Sequence, residues 1–410
     1  IALMLLNMNA QVSGSDIQES NLTKNLEEKG VKIKYGHHPE MVHDADIVVY
    51  TAAICKDDPE RIAIKNENKE NYERAEFLGM MMKEFKHSLC VSGTHGKSTT
   101  TGMLSLIFLE ANLNPTIQVG AILPEINGNT HLGNHDYFIM EACEYVDSFL
   151  HFHPTSAIIT NIDNDHLDYF KNLDNIKKSF YKYVSLLPED GYLIKNNDDE
   201  NSNELDKHTN ATVITYGINN NANFMAKNIT CNHLGHYSYD IYLNNELLTT
   251  INLNINGKHN IYNSLAAFAL AYQYIKDIKA LSTTLLSLGY KGKKVAVIGN
   301  NRYEWCTTYM AVTTGGMIIV PLDKALPNNE IENLVKRSGA EVVIFDKKYM
   351  DVMLKIKENK ENAVNRLICM DNEEIDGVDK YNDILNDGYK LLEKGNDQYD
   401  KITIDENAMS

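Results

Sequence analysis

The sequence lacks the long apolar run of a membrane-spanning helix and the basic balance of a nucleic-acid binder. No apolar run approaches the ~20 residues that cross a bilayer. Basic residues are outnumbered, 39 Lys and Arg against 56 Asp and Glu, for a formal charge of −17. A nucleic-acid footprint would be basic. The six cysteines, at 55, 90, 143, 231, 306 and 369, include no Cys-x-x-Cys pair. Free thiols in a reducing cytoplasm are the simplest account of that scatter. Histidine is plentiful at 14 residues. Yet His37-His38, His131/His135 and His151/His153 have no thiolate or carboxylate partner at zinc-site spacing, which argues against a transition-metal site. What is present is ordinary for a globular protein: 43% hydrophobic and 23% charged residues. At 410 residues two or three domains are expected.

One stretch organises the chain: Val91-Ser92-Gly93-Thr94-His95-Gly96-Lys97-Ser98-Thr99-Thr100. A short apolar run, Leu89-Cys90-Val91, precedes it, and Thr99 to Ala111 reads as a helix. Strand, glycine loop and helix in that order make a phosphate cradle. The glycines let backbone N–H groups turn inward, and the new helix adds its orphan donors and the positive end of its dipole. Lys97 is placed to reach β- and γ-phosphates, and the Ser98 hydroxyl to hold Mg²⁺. The general pattern would put its first glycine at Val91, so the fit is incomplete. Gly-Lys-Ser alone would suit a plain strand-to-helix turn equally well; the flanks favour the cradle.

Before the loop, the pattern alternates. Ile1 to Asn9 reads as helix and Val12 to Asp16 as a strand ending in an acid. Leu22 to Lys29 is a helix stopped by Gly30, and Val31 to Tyr35 and Asp46 to Thr51 are strands. This βαβ rhythm predicts a parallel sheet. In a dinucleotide-type fold such an acid follows a glycine loop by about 20 residues, so that loop is expected before Ile1. After the loop, Tyr137 to Cys143 and Ser156 to Ile162 read as strands leading into Glu141 and into Asp163-Asn164-Asp165-His166. The ligand crevice of an open α/β sheet lies at such strand ends. Oxygen ligands with one imidazole suit a Mg²⁺ shell. Taken alone, Glu141 also reads as a solvated strand end and 163–168 as a capped helix start.

Leu173 to Leu187 is expected to be helical. Strands follow at Tyr192 to Lys195 and Thr212 to Tyr216. An alternating pair, Tyr237 to Leu243 and Leu247 to Leu253, turns through Asn244-Asn245-Glu246. Gly257 to Ala267 opens another helix, where an Asn amide could pair with the edge of adenine or simply cap the helix. From about Tyr274 to Ala280 the text changes. Strands at Lys294 to Gly299, Met317 to Pro321, Glu341 to Phe345 and Arg366 to Met370 alternate with helices at Leu281 to Gly289, Tyr303 to Thr314, Asn329 to Arg337 and Lys347 to Asn359. A second parallel sheet is predicted.

Gly93 to Thr100 resembles the ATP loop of the Mur ligases, the ATP-dependent amide ligases of peptidoglycan synthesis. His95 is similar to the branch that joins L-alanine to UDP-N-acetylmuramate and to the murein-peptide ligases. Val12-Ser13-Gly14-Ser15-Asp16, Thr51 to Ile54 and Arg74-Ala75-Glu76 resemble that branch too. So do Asn161 to His166, Ser148-Phe149-Leu150, and the Gly-x-His-Asn-x-x-Asn-x-x-Ala-Ala run at 257–267. Glu141-Ala142-Cys143-Glu144-Tyr145 replaces the usual Glu-Ala-Asp-Glu-Ser, with Cys143 in the place of Asp. The resemblance implies an α/β chain with a Rossmann-like, UDP-sugar-binding domain over 1–86 and a P-loop ATP-binding domain over 87–275. It implies ATP and Mg²⁺ as cofactors, UDP-N-acetylmuramate and L-alanine as substrates, and an acyl-phosphate route with ADP as product. By position it makes Lys97 and His166 catalytic. Gly93, Thr94, His95, Gly96, Lys97, Ser98, Thr99, His259, Asn260 and Asn263 would bind nucleotide, and Ser98, Glu141 and His166 would bind metal.

Lys291 to Trp305, Val320 to Asp323, and Glu330-Ile331 to Gly339-Ala340 resemble the AMP-forming long-chain acyl-CoA synthetases. That implies a partial α/β domain of the acyl-adenylating type over 276–410. The family's adenylating loop is expected after Ile402 to Ser410, so no residue from 276 on receives a catalytic role. Two other classes fit the same residues: an acyl-CoA synthetase fragment joined to a Mur front end, and a nucleotide-binding module without ligase chemistry.

Overall fold

Residues Ser88 to Ser92 are all buried, the continuous burial that a parallel strand takes when both its faces are covered. They form the centre of β5 (His87–Ser92), and the first unit is built outward from it. The computed structural model describes residues 1–403 apart from 112, 301, 360 and 372–373. It divides into two units, Ile1–Gln273 and Tyr274–Ser410, each taken here by itself.

The first unit opens with helix Ala2–Asn7 and strand β1 (Ser13–Asp16). Ser20 then caps helix Asn21–Glu28, accepting the Thr23 N–H at 3.2 Å, as Ser does at an N-terminus. β2 (Lys32–Tyr35) runs parallel to β1, and β3 (Ile47–Tyr50) parallel to β4 (Glu70–Glu73). Parallel pairing was the expectation, but here it takes the form of two separate two-stranded ladders. Helix Arg74–Met82 leads into β5.

The remaining strands are β6 (Thr116–Leu123), β7 (Gly128–His131), β8 (Tyr137–Glu141), β9 (Ser156–Ile159), β10 (Tyr192–Asn196), β11 (Thr212–Gly217), β12 (Phe224–Cys231), β13 (His236–Leu243) and β14 (Glu246–Asn256). They join β5 in one ten-stranded sheet of order β14-β13-β12-β11-β10-β9-β5-β8-β6-β7. Its middle is parallel. β7 at one edge and β13 and β14 at the other run antiparallel to their neighbours. β13 and β14 turn through Asn244 and Asn245, both at positive φ (49° and 73°), the pattern of the tight turns that suit strand twist. β5 lies between β8 on one side and β9 on the other, so the chain crosses sides at β5. That is the switch point where open α/β sheets bind ligands. Helices Lys97–Glu110, Leu173–Val184 and His259–Tyr274 belong to this unit.

The second unit is a parallel sheet of five strands, β15 (Lys294–Ile298), β16 (Ile318–Pro321), β17 (Val342–Phe345), β18 (Arg366–Cys369) and β19 (Asp379–Lys380), in the order β16-β15-β17-β18-β19. Alternation along β15 separates two cores. Val295 and Val297 pack with helices Asp277–Ser287, Tyr303–Thr314 and Tyr381–Glu393. Ala296 and Ile298 pack with Asn328–Ser338 and Met350–Glu358. The first of these helices starts at Asp277 rather than Leu281. Asn301 and the tail from 404, both part of the stretches compared above with acyl-adenylating enzymes, lie outside the described residues.

Candidate functional site

The loop after β5 is held from the side by the residues that follow β9. Thr94 donates its N–H to the Asn161 carbonyl (2.9 Å), and the Asp163 N–H returns to Thr94 Oγ1 (2.8 Å). The His95 N–H donates to Asn161 Oδ1 (3.0 Å), while Asn161 Nδ2 and Thr160 Oγ1 both donate to the His95 carbonyl (2.9 and 2.7 Å). Gly93 and Gly96 have φ of +129° and +85°, the region that side chains avoid. Space excludes side chains there as well. A Cβ on Gly93 would lie 2.2 Å from Thr160 Oγ1, and one on Gly96 2.5 Å from Asn263 Oδ1. Gly96 is the N-cap of helix Lys97–Glu110, so Ser98 and Thr99 sit in its first turn, where backbone N–H groups are unspent.

Lys97 does not extend from this loop. Its ammonium donates to the carbonyls of Gly93 (2.5 Å) and Thr94 (3.1 Å) and to Glu144 Oε1 (3.1 Å). Glu144 Oε2 is also 3.1 Å away, close enough for an ion pair but outside hydrogen-bond geometry. That buried oxygen has no hydrogen-bond partner. Glu141 ends β8 beside Val91 in register, and its carboxylate accepts the Gly120 N–H at 2.5 Å. The His166 ring lies against Tyr145, centroids 4.5 Å apart, and its Nδ1 is 3.9 Å from Asp165. The Tyr145 hydroxyl donates to Asp168 (3.0 Å), a bond that pushes the phenol pKa up. Among the described residues no hydrogen bond or ion pair links Ser98, Glu141 and His166 directly, and no group of three His, Cys, Asp or Glu is arranged to hold a metal.

A cleft of about 460 Å³ opens beside the loop, lined by His95, Gly96, Thr160, Asn161, Asn196, Tyr216, His259, Tyr262 and Asn263. His259, Tyr262 and Asn263 come from the first turns of helix His259–Tyr274. Asn260 does not line the cleft. Its Nδ2 donates to the Asn256 carbonyl (2.7 Å) and its Oδ1 accepts from Asn263 (2.9 Å). The Tyr262 hydroxyl donates to Asp198 (2.9 Å), which also accepts the N–H groups of Ile218, Asn219 and Asn220. Burial acts to raise the Asp198 pKa, but these donors outweigh it and the net shift is downward. Burial and then Asp198 push the Tyr262 hydroxyl upward.

Several of these residues received no role from the sequence: Glu144, Thr160, Asn196, Tyr216, Tyr262 and, as a clamp, Asn161. Thr160 and Asn161 carried a signal, since they stand directly beyond a buried strand at the sheet edge that faces the loop. Glu144 had none in local pattern.

Three descriptions match successive parts of the chain: the Mur ligase family, catalytic domain, over residues 1–86; the Mur ligase middle domain over 91–271; and the AMP-binding enzyme over 272–401. The chain is 49% identical over 272 residues to a UDP-N-acetylmuramate–L-alanine ligase of Caldicellulosiruptor bescii, covering 66% of this chain and 60% of that protein. It is 48% identical over 270 residues to the enzyme of that name from Clostridium botulinum, covering 66% and 59%. The chain thus spans about three-fifths of the length of these relatives. Among solved structures, a UDP-N-acetylmuramate:L-alanyl-γ-D-glutamyl-meso-diaminopimelate ligase of Neisseria meningitides matches with a TM-score of 0.60 at 25% identity, over 66% of this chain and 88% of that one. A UDP-N-acetylmuramate–alanine ligase of Thermotoga maritima matches with a TM-score of 0.59 over 96% of this chain and 95% of that one. At 18% identity this second likeness speaks for the fold alone.

Proposed function

Because the chain belongs to the Mur ligase family through residues 1–86 and 91–271, we propose that it serves ATP-dependent joining of L-alanine to UDP-N-acetylmuramate in peptidoglycan synthesis. The observation that carries this reading is the 49% identity to a ligase of that name across the segment that holds the loop and its cleft. ATP fits the cradle, since Gly96 caps helix Lys97–Glu110 and the first-turn N–H groups of a helix have no partner within it, which suits a phosphate. His259, Tyr262 and Asn263 are the residues available to a base. Mg²⁺ fits the chemistry of the donor set, a hydroxyl from Ser98, a carboxylate from Glu141 and an imidazole from His166. Bound there, it would neutralise phosphate charge.

In the proposed reaction the muramate carboxylate attacks the γ-phosphorus, and the bond to ADP breaks. The amine of L-alanine then attacks the acyl carbon, and inorganic phosphate leaves through a tetrahedral intermediate. Lys97 leaves Glu144 and the loop carbonyls to meet the migrating phosphoryl group. The loop N–H groups and first-turn donors hold its remaining oxygens, stabilising charge that grows in the transition state. The β1–β4 region carries the UDP-sugar, and a cytoplasmic setting goes with that substrate. The test is phosphate release by the purified chain. The expected release depends on UDP-N-acetylmuramate, L-alanine and Mg²⁺ together; release indifferent to L-alanine would overturn the ligase reading.

A further inference from the structure

The reaction above uses Lys97 but gives no part to the residue that holds it. Glu144 is 2% exposed, and both its oxygens sit 3.1 Å from the Lys97 ammonium. Its burial removes water as a competitor, and one of its oxygens has no other donor. The same ammonium donates to the Gly93 and Thr94 carbonyls, so the lysine lies along its own loop. The backbone just beyond Glu144 is unusual. Val146 and Asp147 have φ of +51° and +59°, a conformation costly for a β-branched residue and one that tends to gather at functional sites. Asp147 is held there by the Tyr169 hydroxyl (2.8 Å) and by Ser179 Oγ. The turn closes back on Glu144, whose carbonyl accepts the Asp147 N–H at 3.0 Å.

We propose that Glu144 is a positioning residue acting on the phosphate loop through Lys97. It holds the ammonium against the loop carbonyls while no phosphate is bound, and yields it when a phosphate arrives. The inference rests on the reading of Gly93–Thr100 as a nucleotide loop. Its consequence follows from burial: a buried carboxylate that loses its cation is strongly disfavoured. Nucleotide must therefore work against the Lys97–Glu144 pair, and the loop binds more weakly than its donors alone would allow.

The test is titration calorimetry with ADP in EDTA, on wild type, Glu144→Gln, Lys97→Ala and the double variant. Glu144→Gln is expected to bind ADP at least tenfold more tightly than wild type, and in the Lys97→Ala background the same substitution is expected to give no gain. Two results would overturn the proposal. One is Glu144→Gln binding at or below the wild-type level. The other is an equal gain without Lys97, which would mean plain repulsion between Glu144 and phosphate. If no form binds ADP even with Mg²⁺, the nucleotide-loop reading itself fails and takes the proposal with it. Should circular dichroism show Glu144→Gln unfolded, Glu144→Asp keeps the charge but withdraws it by one methylene. Affinity above wild type is then expected, and affinity at or below it overturns the proposal.

Discussion

Replacing Gly93 with alanine probes the cradle at its tightest point. The new Cβ would lie 2.2 Å from Thr160 Oγ1 and 2.9 Å from the Asn161 carbonyl oxygen. The hydroxyl cannot turn away without dropping the Ser92 and His95 carbonyls it donates to. The Asn161 carbonyl is backbone and already accepts the Thr94 N–H. Relief requires the loop to shift at Gly93, giving up at least three of the clamp's bonds: Thr94 N–H to the Asn161 carbonyl, His95 N–H to Asn161 Oδ1, and Thr160 Oγ1 to the His95 carbonyl. Three hydrogen bonds at about 1 kcal/mol each, with about 1–3 kcal/mol for a side chain at φ +129°, bring the expected loss to about 4–6 kcal/mol. Gly102→Ala is the internal control. It lies inside helix Lys97–Glu110, where a Cβ would meet nothing nearer than Leu123 Cδ1 at 3.4 Å. Alanine there should gain about 0.5–1 kcal/mol over glycine. Urea unfolding followed by far-UV circular dichroism separates the two. If Gly93→Ala proved as stable as Gly102→Ala, the loop would not be clamped as described.

Lys97→Ala should weaken binding of an ATP analogue in calorimetry and lower any phosphate release by about 10²–10³-fold; a variant matching wild type in both would show that Lys97 is no phosphate ligand. Glu141→Gln should raise the Mg²⁺ concentration needed for nucleotide binding. Its amide oxygen can still accept the Gly120 N–H, so stability should stay within about 0.5 kcal/mol, and an unchanged Mg²⁺ requirement would remove Glu141 from the metal site. Asp198, with its depressed pKa, contributes stability that is complete above the unfolded carboxyl value of about 3.9 and is lost as pH falls through the lower folded value. The stability gap between wild type and Asp198→Asn should therefore close below about pH 4; a gap equal at pH 7 and pH 3 would refute this.

Elements whose burial is uniform or strictly periodic were readable in the sequence. Tyr303–Thr314 was expected and found over the same residues, and β5, β8 and β9 announced themselves as apolar runs. β6, β7 and β12 escaped notice. In β12 the buried residues stand only at its start, Phe224 to Ala226, and the rest is largely exposed. The glycine loop was legible because Gly93 and Gly96 do there what no other residue does. Asn260 and Asn263 looked equivalent, three positions apart on one helix. Only the path of the chain before that helix turns Asn260 toward Asn256 and leaves Asn263 facing Gly96. Glu144 received no role, since its partner Lys97 stands 47 residues earlier and only the fold brings the two together.

The position of β5 in its sheet has a consequence for synthesis. Both its neighbours, β8 and β9, come later in the chain, and the clamp on His95 lies 65 to 66 residues downstream. As the protein is made, the strand and its glycine loop leave the ribosome with both edges bare. Contacts between distant segments form slowly, and unpaired edges invite association with other chains. The cleft stays open on its far side until helix His259–Tyr274 has emerged and docked. A nascent chain stalled before that helix would carry the whole Gly93–Thr100 motif and still lack the His259, Tyr262 and Asn263 side of its cleft.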